Sequence, residues 1–240
     1  MRFRAPAFHE NRKRPRPANP SATSRVFAHV RPPFFVHGGH ARKSKLRAVS
    51  EEVEGQVRVD GELDAEAQVR RRLALAQVRQ YPDPVLRMRA REVTDFDDEL
   101  RALVTRMKQL MQDAQGVGLA ATQVGIIRRL FVFIPGREEG LEPIAVVNPV
   151  LELGSETDLD DEGCLSMQGV TVPVERATTV TLTAKDENGD DLRLELEGLA
   201  ARIVQHETDH LDGTLVIDRT DDASRKEALR VVRPRPILVA

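Results

Sequence analysis

The 240-residue chain has a single cysteine, Cys164, and no apolar run approaching the ~18 residues that a membrane-spanning helix needs. One thiol forms no internal disulfide, so a disulfide-built scaffold is excluded. The sulfur is then either a small buried apolar group or a thiolate with a chemical task. The chain also lacks the charged start followed by an apolar stretch that marks a secretory signal, so the expectation is a cytoplasmic protein with no membrane partner. Net charge is only −2, which in itself argues neither for a nucleic-acid surface nor against one, and no specific DNA partner is expected. What is present is a 40% hydrophobic composition over a length that suits one or two globular domains.

The charge is unevenly spread. Residues 1–50 hold twelve Lys and Arg against one acid, Glu10, and interleave Arg with Pro, as in Arg14-Pro15-Arg16-Pro17. With no apolar periodicity, such a segment cannot bury enough surface to offset chain entropy. Residues 51–66 then turn acidic (Glu51, Glu52, Glu54, Asp60, Glu62, Asp64, Glu66). Residues 1–70 are therefore read as a disordered extension, basic and then acidic, followed by a catalytic domain over 71–232 and a flexible tail over 233–240. A ribosome- or RNA-binding arm, a targeting peptide, a start placed too far upstream and an inert tail all fit the extension.

From residue 66 the pattern is that of a folded domain. Residues 66–79 look helical, and Tyr81-Pro82-Asp83-Pro84 makes a rigid turn. After Asp95 or Asp97 as a cap, Leu100, Leu103, Val104, Met107, Leu110, Met111 and Ala114 recur at three- and four-residue spacing, which predicts a core helix. Ile126–Ile134 and Ile144–Leu151 read as strands, the second interrupted by Asn148-Pro149. Val180–Ala184 and Leu192–Glu197 flank Asp186-Glu187-Asn188-Gly189 and alternate in polarity, predicting an antiparallel hairpin with one wet face. Helices are predicted over about 199–211 and 223–232. The class is α+β: antiparallel sheets around a central helix, with a further N-proximal helix and a C-terminal one.

Three segments carry chemistry. Gln205-His206-Glu207-Thr208-Asp209-His210 sets two histidines at i and i+4, on one helix face, where both imidazoles reach a single metal ion. Leu199, Ile203 and Val204 precede them, so the pair should face the interior rather than lie exposed on a surface helix. Glu207, about 100° around the helix from His206, is too close to be a comfortable ligand and is the candidate general base. A catalytic site wants a third ligand and one open position, and Cys164, in Glu162-Gly163-Cys164-Leu165-Ser166, is the candidate. Gly163 permits unusual backbone geometry beside it. Cys, His, His suits zinc and ferrous iron alike. In Gly116-Val117-Gly118-Leu119-Ala120-Ala121-Thr122-Gln123 the glycines let main chain approach a substrate, and Gln123 offers an amide NH₂ to a developing oxyanion; a helix cap and tight turn would look the same.

Together and in this order, the three segments resemble the motifs of the peptide deformylases, with similarity from about Gln77, through Gln80-Tyr81-Pro82-Asp83-Pro84-Val85-Leu86, to about Arg230. The resemblance implies that Cys164, His206 and His210 hold one divalent metal ion per chain, ferrous iron in much of the family with zinc as an alternative. It implies Glu207 as general base and acid, Gln123 and the Leu165 N–H as oxyanion donors, and main-chain pairing of Val117, Gly118 and Gly163 with an extended peptide. The implied substrate is an N-formylmethionyl nascent chain, met at the ribosome. An ion pair between Glu162 and Arg176 is implied as structural support. The family usually carries proline two or three residues after its Cys-Leu-Ser segment; Ser166-Met167-Gln168-Gly169 has none, so a looser loop is expected.

Two other readings use the same residues. A zinc endopeptidase would normally recruit a downstream Glu or His, yet no histidine follows His210 and Glu227 is the only glutamate there. A structural metal staple would want a closed fourth ligand, and no second cysteine exists to supply one.

Overall fold

The computed structural model describes residues 64–136 and 141–232. The extension expected over 1–70 lies outside the described residues as far as 63, and so does the tail 233–240. Helix α1 (Ala65–Leu75) starts at Asp64, whose carboxylate accepts the Ala67 N–H at 2.7 Å. It stops four residues short of the expected end, because the chain beyond is claimed by distant partners: Arg79 N–H donates to Gln123 O and Tyr81 N–H to Ser166 O. Helix α2 (Asp98–Asp113) is capped by Asp97 and buries Leu100, Val104, Met107, Leu110 and Met111, the stripe read from its spacing.

Strand β1 (Gly118–Ala120) follows, then a short helical turn over Ala121–Val124. Strands β2 (Leu130–Phe133) and β3 (Ile144–Leu153), the hairpin strands β4 (Thr157–Gly163) and β5 (Thr171–Ala177), and strands β6 (Thr179–Lys185) and β7 (Asp191–Glu197) complete the sheets. Five strands form one antiparallel sheet in the order β1-β2-β3-β6-β7, and β4 and β5 form a separate pair. Strand alternation divides the core. Leu130 and Val132 face α1 and α2, while Phe131 and Phe133 face helix α3 (Gly198–Leu211).

The Asn148-Pro149 interruption is a register shift inside β3, with Asn148 at φ 53°. Its side-chain amide bonds both the N–H and the carbonyl of Val93, at 2.9 and 2.8 Å, standing in for a strand partner. Helix α4 (Asp222–Val232) closes a third cluster with Leu86, Cys164, Met167, Val172 and Val174. No helix among the described residues is long and apolar enough to cross a membrane. The α+β arrangement is as expected, with α3 set between the five-stranded sheet and the β4–β5 pair.

Candidate metal centre

Helix α3 delivers His206 and His210 one turn apart on its buried face, with ring centroids 4.9 Å apart and planes at 65°. Cys164 arrives from the end of β4, with Sγ 3.2 Å from His210 Nε2. One ligand atom from each of these three buried residues lies within 4.8 Å of the other two. His206 Nδ1 is bonded to Glu162 Oε2 at 2.9 Å, while its Nε2 is buried without a hydrogen-bond partner. Leaving such a nitrogen unmet costs about 1–3 kcal/mol. A cation between a sulfur and two imidazoles removes that cost, so the donor set fits a metal ion.

Glu162 organises this cluster. Its carboxylate takes two bonds from Arg176, at 2.9 and 3.0 Å, and one from Arg202 at 3.0 Å, as well as the His206 contact. Burial alone would raise its pKa; the bonds to His206 and Arg176 outweigh it and hold the carboxyl well below the usual carboxylate range. Arg176 reaches on to Asp209 at 2.6 Å, and Arg219 closes on Asp209 from outside at 3.0 Å. Burial disfavours charge on His206, but the Cys164 sulfur and Glu162 carboxylate raise its pKa to about 10. His210 goes the other way, well below its ordinary value, through burial and the charges of His206 and Arg176. The Glu162 carboxylate therefore orients His206 from behind, while burial and the surrounding charges keep His210 neutral.

The Glu162–Arg176 pair stands where the resemblance put it. Sequence reasoning missed Arg202 and Asp209. Arg202 donates to Val174 O at 2.8 Å and Asp158 O at 2.9 Å besides Glu162, tying α3 to both strands of the hairpin. A signal existed: Arg202 lies four residues before His206 and Asp209 three after, so both share the buried face that carries the histidines.

Gln123 is completely buried, and its orientation is fixed at both ends. Its Oε1 accepts the Ala120 N–H at 2.8 Å, which turns the NH₂ toward Ser166 Oγ at 3.2 Å and Cys164 Sγ at 3.7 Å. Glu207 is equally buried, and its carboxylate lies against Gly118, where an added Cβ would sit 2.3 Å from Oε1. Gly118 thus makes room for Glu207. Ile134 N–H donates to Val117 O, so by strand alternation the Gly118 amide and carbonyl face the open side of β1, an edge strand. Gly163 is an extended residue paired with Thr171 and has no positive φ. Leu165 is buried beside Gly116, and its carbonyl accepts from Gln80 at 2.9 Å.

The loop without the proline is held by backbone bonds and one buried side chain. Met167 N–H donates to Cys164 O at 2.9 Å and Val170 N–H to Met167 O at 3.1 Å, while the Met167 side chain is 1% exposed within the third core cluster. Glu227 sits exposed on α4 in an ion pair with Arg230, away from the ligand cluster.

A family model described as Polypeptide deformylase matches residues 75–226, which span the hairpin, both ligand segments and the Gln123 turn. The chain belongs to the polypeptide deformylase family. It is 48% identical to peptide deformylase 1 of Corynebacterium glutamicum, over 67% of this chain and 96% of that protein. Among solved structures it is similar to the Thermotoga maritima peptide deformylase (TM-score 0.57, 45% identity, covering 60% of this chain and 96% of that one). It is also similar to Arabidopsis thaliana peptide deformylase 1B in complex with an inhibitor (TM-score 0.62, 37% identity, 65% and 87%). Polypeptide deformylases are metal-dependent, in keeping with the Cys164, His206 and His210 cluster. All of α1 before Leu75 precedes the matched residues.

Proposed function

We propose that Cys164, His206 and His210 hold one divalent ion, ferrous iron in preference to zinc, and that Glu207, Gln123 and the Leu165 N–H act on a formyl group beside it. The chain is a hydrolase that removes the N-formyl group from newly made polypeptides, as a member of its family. The observation that carries the assignment of roles is the buried Gln123 amide, pinned by the Ala120 N–H and turned onto Cys164 of the Cys, His, His cluster, with Glu207 buried next to His206 on α3 and set against Gly118.

When bound, the ion supplies Lewis acidity, making water nucleophilic near neutral pH and polarising the formyl oxygen. Glu207 takes the proton of the attacking water and passes it to the departing amine nitrogen. The Gln123 NH₂ and the Leu165 N–H donate to the formyl oxygen as it gains charge. The backbones of Gly118 and Gly163 pair with an extended formyl-Met peptide laid along the open edges of β1 and β4; of Val117 only the N–H is left for this, since its carbonyl is held by Ile134. Formate and a free N-terminal methionine leave.

The same reading assigns catalysis to a domain over 71–232, with 1–70 as an extension and 233–240 as a tail, working in the cytoplasm. Because the substrate emerges from the ribosome, exposed Arg225, Lys226 and Arg230 of α4, with Arg233 and Arg235 after them, are assigned to rRNA phosphates.

Formate release from a formyl-Met-Ala peptide, using protein purified without oxygen and analysed for metal, tests the central assignment. Glu207→Gln should keep the metal and lose about 10²–10⁴ in kcat. Cys164→Ala should lose metal and activity together. One metal per chain with no formate released, or a fully active Glu207→Gln, would overturn the roles.

A further inference from the structure

Between the end of α1 and the Pro82–Pro84 turn, residues 79–81 make three hydrogen bonds to two separate loops of the metal centre. Arg79 N–H donates to Gln123 O at 2.7 Å and Tyr81 N–H to Ser166 O at 2.9 Å. Between them the Gln80 side chain donates through Nε2 to Leu165 O at 2.9 Å, the same nitrogen also reaching Val78 O at 3.2 Å. One short segment therefore grips the residue that carries the side-chain oxyanion donor and the residue that carries the backbone donor. The two backbone bonds survive any substitution except proline. The Gln80 bond alone is written in a side chain.

We propose that residues 79–81 are a strap that keeps the two oxyanion donors in register, and that Gln80 is its positioning residue, acting through Leu165. The inference rests on the roles proposed above for Gln123 and the Leu165 N–H. Peptide units are planar, so holding the carbonyls of Leu165 and Ser166 fixes two successive planes. The Leu165 N–H belongs to the plane just before them, separated by the single φ, ψ pair of Leu165, whose side chain is buried against Gly116. That plane also carries the Cys164 carbonyl, which the Met167 N–H holds at 2.9 Å, and the Gln80 bond steadies the plane that follows it, so the N–H is braced from both sides of Leu165. A donor left free to swing must be reoriented in the transition state, and electrostatic stabilisation depends on donors that are already aimed.

The test uses the full, metal-loaded chain with Gln80→Met, similar in size but without a donor, and Gln80→Glu, the same shape with an acceptor set against the Leu165 carbonyl. Gln123→Ala runs beside them. Metal per chain, KM and kcat on formyl-Met-Ala, and the affinity of a peptide hydroxamate whose carbonyl takes the oxyanion's place are measured. Gln80→Met should lower kcat about tenfold, less than the 10²–10³ lost when an oxyanion donor is removed outright. Gln80→Glu should lower it further, and hydroxamate affinity should fall in step. KM and metal content should stay within about twofold, since only transition-state contacts change. Unchanged kcat in both Gln80 variants while Gln123→Ala collapses would overturn the strap and leave the oxyanion assignment standing. Loss of metal, or a raised KM at constant kcat, would also overturn it, in favour of a purely structural role. An active Gln123→Ala would remove the oxyanion assignment itself, and the strap with it.

Discussion

Toward the five-stranded sheet, α3 presents Ala201, Val204 and Leu211 to Phe131, Phe133 and Leu182. Toward the β4–β5 hairpin it presents Arg202, His206 and Asp209 to Glu162 and Arg176. Both sides are buried, but they are made of opposite materials. Apolar contact is non-directional and scales with area, so it sets where the helix axis lies and leaves each side chain's rotation open. Hydrogen bonds and ion pairs are directional, and they aim one imidazole nitrogen outward and the other at the ligand cluster. The helix is placed by shape on one side, and its chemistry is aimed by charge on the other.

That division is open to breakage. Phe131→Ala, on the apolar side, should cost about 3–5 kcal/mol of stability in a urea titration, with kcat per folded molecule unchanged. If metal affinity falls with it, the two sides do not act separately. On the ionic side, Glu162→Gln should weaken metal binding about 10–100-fold in competition with a chelator, because His206 loses its orienting carboxylate. A third measurement sharpens the electrostatic half. The Glu162 pKa is lower folded than its ordinary 4.5, so its contribution to stability is full above that value and is lost as pH falls below it. Wild-type urea midpoints should therefore drop through that acid range, and Glu162→Gln should flatten the slope. The smallest effect is expected outside both interfaces: Glu227→Ala removes an exposed pair with Arg230 and should change stability by about 0.5 kcal/mol at most, with metal content untouched. Metal lost from that variant would restore a downstream ligand and the endopeptidase reading.

The parts of the molecule that show in the sequence are those whose burial is periodic. Helix α2 repeats its apolar stripe at helical spacing, β6 and β7 alternate, and α3 carries its histidines one turn apart, so element and face follow from local pattern. Strand β4 is the opposite case. Its first five residues, from Thr157 to Asp161, are exposed and mostly acidic, and only Glu162 and Gly163 are buried, so no alternation marks it as a strand. The early end of α1 is equally hidden, being decided by hydrogen bonds to Gln123 and Ser166 far along the chain. For Gly118 the sequence suggests an approach to substrate; the contact that most demands a glycine there is with Glu207, and only the packing of β1 on α3 reveals it.

Cys164 lies 46 positions before His210, and the chain between them builds β5, β6, β7 and nearly all of α3. No short stretch of polypeptide brings the three donor atoms together, as a compact zinc finger does. The apolar clusters and the Glu162 ion pairs join the same segments, so the framework around the ligand atoms has ties of its own besides an ion.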